Sequence, residues 1–242
     1  MDCIEYGTVP RQATDWLASE GYLRDGDCTM VVASGDGAFA GPVSRISRIA
    51  VCMDRSRDSL EATRAAVVGG CRTELFEMDW MSYVPSRGGY DSVVMSPSRL
   101  CFDAGALERI GMVSKRACAV VVPAVDGYRD ALDALARAVG GPACASRDPC
   151  VPAGFADALR GQGISLHTAS FESWIEPSVD DIDRALLRDC GHGIGDAPEP
   201  ARDIIEGMAS GYRCVCDVIA WNVPGAEGVG RAARGHIAGP VR

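Results

Sequence analysis

The chain has 242 residues, of which 47% are hydrophobic and 24% charged, so it can bury the core of one large domain or two small ones. Its formal net charge is -9, its only lysine is Lys115 and its arginines are dispersed, which argues against a nucleic-acid-binding protein because phosphate neutralisation needs clustered cations. No apolar run approaches the roughly 20 residues of a membrane span, and the first residues lack the basic start and apolar core of a signal peptide. We therefore expect a cytoplasmic protein with a small-molecule substrate, no membrane contact and no nucleic-acid partner.

Short apolar runs alternate with helical patterns over the N-terminal half of the chain. The apolar runs are bounded by turn-forming residues, as buried strands are, and the first and last helical stretches place their apolar residues on one face. Strands are predicted over residues 28–34, 48–54, 72–80, 90–98 and 116–124, and helices over 11–21, 58–70, 104–115 and 126–141. This alternation favours right-handed βαβ crossovers and a parallel sheet covered on both faces.

In the C-terminal third, the regular alternation of predicted strands and helices ends. This third predicts an extended segment over 163–175, a helix over 178–191 with Ser178 as its N-cap, a helix over 199–211 and a last strand over 212–224. We therefore predict an α/β, Rossmann-like three-layer sandwich with about seven mostly parallel strands and one antiparallel strand near the C-terminus. The predicted single domain comprises an N-terminal helical cap (1–25), a cofactor-binding half (26–140), a C-terminal half with a helical insertion (141–222) and a tail (223–242); its most exposed loop is 140–154.

The eleven cysteines are scattered without any CxxC pair. Cys52 and Cys118 lie in apolar runs, where a thiol behaves as a small hydrophobe. Cys214 and Cys216 would share one face of a strand, but zinc sites usually have wider paired spacings with histidine support, and the three histidines are far apart. We expect structural thiols in a reducing compartment and no metal site.

The stretch "VVASGDGAFAG", residues 31–41, joins a predicted strand to a glycine loop. Glycines allow positive φ and a close approach of the backbone to a ligand, so Gly35 and Gly37 are candidates for a cofactor site. Asp54 ends the next predicted strand about 20 residues after Gly35, where dinucleotide-binding folds place an acid for the ribose. The alternative interpretation is an ordinary glycine turn and a solvated aspartate.

The order of elements and four motifs resemble the class I S-adenosylmethionine-dependent methyltransferases. "VVASGDGAF" is similar to the family's "VLDVGCGTG", which aligns Gly35 and Gly37 with its first two glycines. "IAVCMDRS" is similar to "VTGVDIS", which makes Asp54 the acid that holds the ribose hydroxyls. The resemblance implies S-adenosylmethionine as cofactor and also places Asp36 and Arg55 beside it.

The third and fourth strands carry the rest of the resemblance. "FEMDWMS" is similar to the strand ending in "GDA", so Asp79 is expected at the adenine amino group, with Trp80 and Met81 flanking the ring. "YDSVVMSPS" is similar to "FDVVVSNPP" and places Ser96 near the methionine end of the cofactor. The family's antiparallel last strand agrees with the pattern at the C-terminus.

Two positions depart from the family pattern. Ala33 replaces the acid of the first motif and Phe39 occupies its third glycine position; a β-carbon at 39 does not suit positive φ. We expect a remodelled loop in which Phe39 turns into the core, Gly41 supplies flexibility, and Gly35 and Gly37 face an open cavity. "SPSR" also lacks the Asn of the "NPPY" type, which argues against adenine-N6 or glutamine methylation.

The acceptor and the catalytic residues stay open at this point. Residues that could lie near the exposed end of the cofactor are Tyr6, Trp16, Arg99, Phe102 and His167. A structural role is the stronger interpretation for each, with Trp16 packing its helix against the core and His167 as a satisfied polar residue on an edge strand. Two alternatives to a small-molecule methyltransferase remain: a degenerate binding or interaction module, and an NAD-dependent oxidoreductase, since "GDGAFA" fits G-x-G-x-x-A. Pro42, which shortens the following helix, and the lack of a Tyr-x-x-x-Lys set argue against NAD. The oligomeric state is open, with a homodimer as one option.

Overall fold

A computed structural model of the chain describes residues 6–67, 69, 71–84, 88–98, 100, 103–138, 153–183 and 199–224. The strands in these ranges are β1 (Cys28–Val32), β2 (Ile49–Asp54), β3 (Arg72–Glu77), β4 (Tyr90–Met95), β5 (Ser114–Asp126), β6 (Leu166–Ile175) and β7 (Tyr212–Asn222). The helices are α1 (Val9–Ser19), α2 (Ala40–Ser44), α3 (Arg57–Ala66), α4 (Ala104–Val113), α5 (Gly127–Ala138), α6 (Ala153–Gly161) and α7 (Glu199–Ala209). No described helix is long and apolar enough to cross a membrane.

The described strands form one seven-stranded sheet in the order β3-β2-β1-β4-β5-β7-β6. β7 is antiparallel to both β5 and β6, whereas the pairs between β3, β2, β1, β4 and β5 are parallel. The predicted fold class, with a single antiparallel strand near the C-terminus, is thus confirmed. Helices on both faces complete the three layers, as expected where crossovers join parallel strands.

The sheet has a step at its carboxyl edge. Met95, the last residue of β4, pairs with Val120, but β5 continues to Asp126 because it pairs with β7 through a bulge between Pro123 and Val125. The sequence predicted a shorter strand, since the partner that extends β5 lies about 90 residues further along the chain. The loop after β4 therefore follows a strand whose neighbour β5 continues beyond it.

Two apolar cores lie on opposite faces of the sheet. One packs α1, α2, α5 and α7 against the sheet and contains Phe39, Cys214 and Cys216; the other packs α4 and α6 and contains Trp80 and Cys118. Burial raises the pKa of the Cys118 thiol to about 12. The pKa of Cys216 is also raised, mainly by its hydrogen bond with Cys214 and secondly by burial. Cys118 and Cys216 therefore pack as neutral apolar groups.

Local sequence signals mark where several helices begin, whereas one helix, α6, has no clear sequence signal. The Ser178 hydroxyl accepts a hydrogen bond from the Asp181 amide at 3.2 Å, so its N-cap role is confirmed, and residues 179–183 are helical. The rest of that predicted helix lies outside the described residues. Ser56 caps α3 in the same way, accepting from the Ser59 amide at 3.3 Å. The helix α6 was not predicted, because Gly154 and three alanines leave too few apolar residues to show a helical period.

A buried ion pair ties the strands together at their amino ends. Arg116 at the start of β5 donates to the Asp27 carboxylate, to Ser92 Oγ at 2.7 Å and to the Gly21 carbonyl at 2.7 Å. The side chains of Arg116 and Asp27 are 9% and 10% exposed. Burial lowers the pKa of Arg116 and the neighbouring Asp27 opposes that shift. The network holds the connection before β1 against β4 and β5.

Candidate cofactor site

Backbone hydrogen bonds continue beyond the strand ends at the carboxyl edge of the sheet. The Ser34 amide donates to the Met53 carbonyl at 3.0 Å and the Ser96 amide to the Val32 carbonyl at 3.0 Å. Past the end of β3, the Met78 amide donates to the Asp54 carbonyl at 2.9 Å. The loops after β1, β3 and β4 are therefore fixed to neighbouring strands at the edge where open α/β sheets bind ligands.

Asp54, the last residue of β2, organises this edge. One carboxylate oxygen accepts from the Gly35 amide at 2.9 Å and the other from the Ser56 amide at 2.9 Å. Two amide donors fix the plane of the carboxylate, and each oxygen keeps further acceptor capacity for a ligand. The side chain is half-buried, and Arg55, which follows it, is exposed.

Gly35 and Gly37 have different surroundings although both have positive φ, +56° and +86°. A β-carbon at Gly35 would meet only the Ala33 carbonyl oxygen, at 3.9 Å, so this residue borders open space. A β-carbon at Gly37 would lie 2.7 Å from Ala66 Cβ and 2.8 Å from Thr63 Cα, inside α3. Gly37 is thus required for packing of α3 against the loop, and Gly35 is the glycine on the open side.

Four amide groups of the loop, those of Ser34, Gly35, Gly37 and Ala38, donate within the protein. Besides Ser34 and Gly35, the Gly37 amide donates to the Ser34 carbonyl at 2.9 Å and the Ala38 amide to Asp36 Oδ1 at 3.0 Å. Ala33 also takes a left-handed conformation, with φ of 55°, which is uncommon for a residue with a β-carbon. The loop is held in shape by its own donors and by Asp54.

Phe39 has turned into the core, as predicted. Its side chain is 2% exposed, its φ and ψ of −88° and −31° are helical, and its ring meets the edge of Tyr6 with centroids 6.3 Å apart. The flexibility predicted for Gly41 is wrong: it lies within α2, where a β-carbon would come 2.9 Å from the Ala66 carbonyl oxygen. Gly41 therefore permits a close approach of α2 to α3.

The residues after β3 differ from the prediction. The strand ends at Glu77, and Asp79 Oδ1 accepts from the Met81 amide at 2.9 Å in a turn typical of aspartate. Trp80 is 2% exposed and its indole N–H donates to the Ala106 carbonyl at 3.0 Å, so the structure does not support its role beside adenine. Met81 is 41% exposed, and Asp79 is exposed beside it. These two remain candidates for the adenine end.

Ser96 follows the last residue of β4 and is buried, and its place near the methionine end of the cofactor stays a prediction. Of the candidates for the exposed end of the cofactor, Tyr6 is buried and packs against Phe39 in the core. Trp16 and His167 instead contact the ring of Tyr22, which precedes β1, at 6.1 Å and 5.7 Å between centroids. These contacts favour the structural interpretation of both residues. Arg99 and Phe102 lie outside the described residues.

Thr63 on α3 is a site residue that the sequence did not single out. Its hydroxyl oxygen lies 3.0 Å from the Gly35 carbonyl oxygen and 3.1 Å from the Ser34 hydroxyl oxygen. One hydroxyl has one proton, so Thr63 can donate to the carbonyl and accept from Ser34. The only sequence signal is a β-branched polar residue on the buried side of a predicted helix, where such residues are disfavoured.

No protein-family model matches the sequence, and no curated protein is significantly similar to it. Solved structures do match. A candidate methyltransferase from Bacillus halodurans superposes with a TM-score of 0.54 at 15% identity, covering 88% of this chain and 99% of that one. The [4+2]-cyclase SpnF gives 0.53 at 16% identity over 91% and 84% of the two chains. Magnesium protoporphyrin IX methyltransferase from Synechocystis, with bound S-adenosylhomocysteine, gives 0.50 at 12% identity over 88% and 81%.

These likenesses cover 88–91% of the chain. At identities of 10–16% they establish the architecture and leave the chemistry to the residues of this chain. The strand order and the reversed β7 agree with that architecture. The chain has the Rossmann-like fold of the class I S-adenosylmethionine-dependent methyltransferases.

Proposed function

We propose that the protein is an S-adenosylmethionine-dependent methyltransferase acting on a small molecule, with the cofactor nucleoside over Gly35 and its ribose on Asp54. The observation that carries the proposal is the Asp54 carboxylate, held by the Gly35 and Ser56 amides beside the open side of Gly35. Ribose hydroxyls are donors, and a fixed carboxylate with spare lone pairs is the acceptor that suits them.

The hydrogen-bond partners of the loop amides favour S-adenosylmethionine over NAD. A dinucleotide needs amide donors for its pyrophosphate, supplied at a glycine loop and the N-terminus of the next helix. Here the amides of Ser34, Gly35, Gly37 and Ala38 donate within the protein. The helix that follows, α2, has only five residues and contains Pro42. S-adenosylmethionine carries no phosphate and makes no such demand.

The residues of the chain would bind and orient rather than carry out acid–base chemistry. When bound, the cofactor supplies an electrophilic methyl group. Asp54 would hold the ribose, Asp79 and Met81 would border the adenine, and Ser96 would lie towards the methionine end. Methyl transfer to an acceptor can draw most of its rate from alignment in a site that excludes water, so the absence of an assigned base does not argue against it.

A second candidate is a binding module that retains the nucleoside site without methyl transfer. Two observations favour it: Ala33 stands where the family pattern has an acid, and one structural neighbour is a [4+2]-cyclase by name. The difference between the two candidates lies in turnover, since both bind the cofactor.

Calorimetric titration with S-adenosylmethionine, S-adenosylhomocysteine and NAD tests the proposal. We expect heat with the first two and none with NAD, and loss of affinity in Asp54→Asn but not in Asp25→Asn, which changes an exposed aspartate before β1. Binding followed by release of S-adenosylhomocysteine in the presence of a small-molecule pool supports the enzyme. Heat with NAD alone, or none with any of the three, would overturn the proposed function.

A further inference from the structure

We infer that Thr63 is a positioning residue for the cofactor, acting through Gly35 and Asp54 without touching the ligand. The inference rests on the proposed function for its ligand and on the geometry of the loop for its mechanism. Thr63 is fully buried, and its hydroxyl oxygen lies 3.0 Å from the Gly35 carbonyl oxygen. Gly35 is thus held on one side by Asp54, through its amide, and on the other by Thr63, through its carbonyl.

The contacts form a closed circuit through one stretch of chain. Asp54 accepts from the Ser56 amide, and Ser56 caps the first turn of α3. Two turns further along α3, Thr63 returns to the loop and bonds the residue whose amide donates to Asp54. Each contact therefore restricts the movement of the next residue. The orientation of the Asp54 carboxylate thus depends on how the two peptide groups of Gly35 are held.

Glycine packing places Thr63 within reach of the loop. A β-carbon at Gly37 would lie 2.8 Å from Thr63 Cα, and one at Gly41 would lie 2.9 Å from the Ala66 carbonyl oxygen. The last turn of α3 therefore packs directly against the backbone of Gly37 and Gly41, which have no side chains. A hydroxyl on this turn can reach a carbonyl of the loop. Valine at this position would keep the shape of threonine and lose both hydrogen bonds.

Thr63→Val should raise the Kd for S-adenosylhomocysteine about 2- to 10-fold, the factor that corresponds to one net hydrogen bond. Thr63→Ser retains the hydroxyl and should restore most of the affinity. Thr14→Val is the matched control, because Thr14 is also buried and donates to a helix carbonyl, that of Pro10, at 2.7 Å, but lies on α1. It should lose stability in urea without a change in Kd.

A double-mutant cycle separates positioning from general destabilisation. If Thr63 acts through Asp54, Thr63→Val should change the Kd by less than about twofold in an Asp54→Asn background. The inference would be overturned if Thr63→Val changed the Kd equally in the wild-type and Asp54→Asn backgrounds. It would also be overturned if Thr14→Val lost as much affinity as Thr63→Val.

Amide hydrogen exchange at Gly35 provides a readout that needs no ligand. We expect faster exchange of this amide in Thr63→Val and an unchanged rate in Thr14→Val and Thr63→Ser. If the wild-type protein binds no S-adenosyl compound but Gly35 exchange responds as expected, the proposed function fails and the role of Thr63 in holding Gly35 stands. If Gly35 exchange is the same in Thr63→Val and wild type, Thr63 does not hold Gly35 and the inference is wrong.

Discussion

Replacing Phe39 by Ala should destabilise the protein without improving cofactor binding. The ring is 2% exposed and meets the edge of Tyr6 in the core that packs α1 and α2. Loss of a fully buried Phe side chain costs about 3–5 kcal/mol, which includes the cavity left behind. Since the backbone at 39 is already helical, the substitution relieves no strain.

Urea unfolding and titration with S-adenosylmethionine together measure this effect. Phe39→Leu is the control, because it retains an apolar side chain and should lose clearly less stability than Phe39→Ala. Both variants should bind the cofactor no more tightly than wild type. A tighter Kd in Phe39→Ala would show that the ring competes with the ligand, and a stability loss below about 1 kcal/mol would show that it is not part of the core.

Three further predictions concern other parts of the molecule. Asp54→Ala should weaken S-adenosylhomocysteine binding by about 1.5–3 kcal/mol, the value for hydrogen bonds to a charged group, and an unchanged Kd would refute its role. Arg116→Met should cost about 3–5 kcal/mol in urea unfolding by leaving a buried carboxylate unpaired. Lys115→Met is the control, because Lys115 forms a more exposed ion pair with Asp91, and it should lower the free energy of unfolding by less than about 1 kcal/mol. Equal losses of stability in Arg116→Met and Lys115→Met would contradict the account. Because the pKa of Cys118 is raised to about 12, its thiol loses the proton at a higher pH in the folded state than in the unfolded chain. The free energy of unfolding should therefore fall between about pH 8.5 and that value, less steeply in Cys118→Ala, and an identical slope would contradict the assignment.

Residues whose role follows from local sequence were predicted well. The apolar runs of β1, β2 and β4 are bounded by turn residues, so their positions and the parallel sheet follow from composition and spacing. The end of β2 places Asp54 at the carboxyl edge for the same reason. Ser178 caps its helix because a serine oxygen beside free amides needs no tertiary partner.

Residues whose role depends on tertiary packing were not predictable in the same way. Trp80 lies within the turn that Asp79 begins, and only the approach of α4 supplies the Ala106 carbonyl to which its indole N–H donates. Gly37 and Gly41 face α3, whose distance from the loop is not encoded in the loop itself. Thr63 illustrates the same limit, since its partner lies 28 residues earlier in the chain.

The most direct test of the central claim is a crystal structure of the protein with S-adenosylhomocysteine. We predict that the ribose hydroxyls bond the Asp54 carboxylate, that the nucleoside lies over Gly35, and that Phe39 stays in the core beside Tyr6. A nucleoside bound elsewhere, or a Phe39 ring that must leave the core to admit it, would contradict the account.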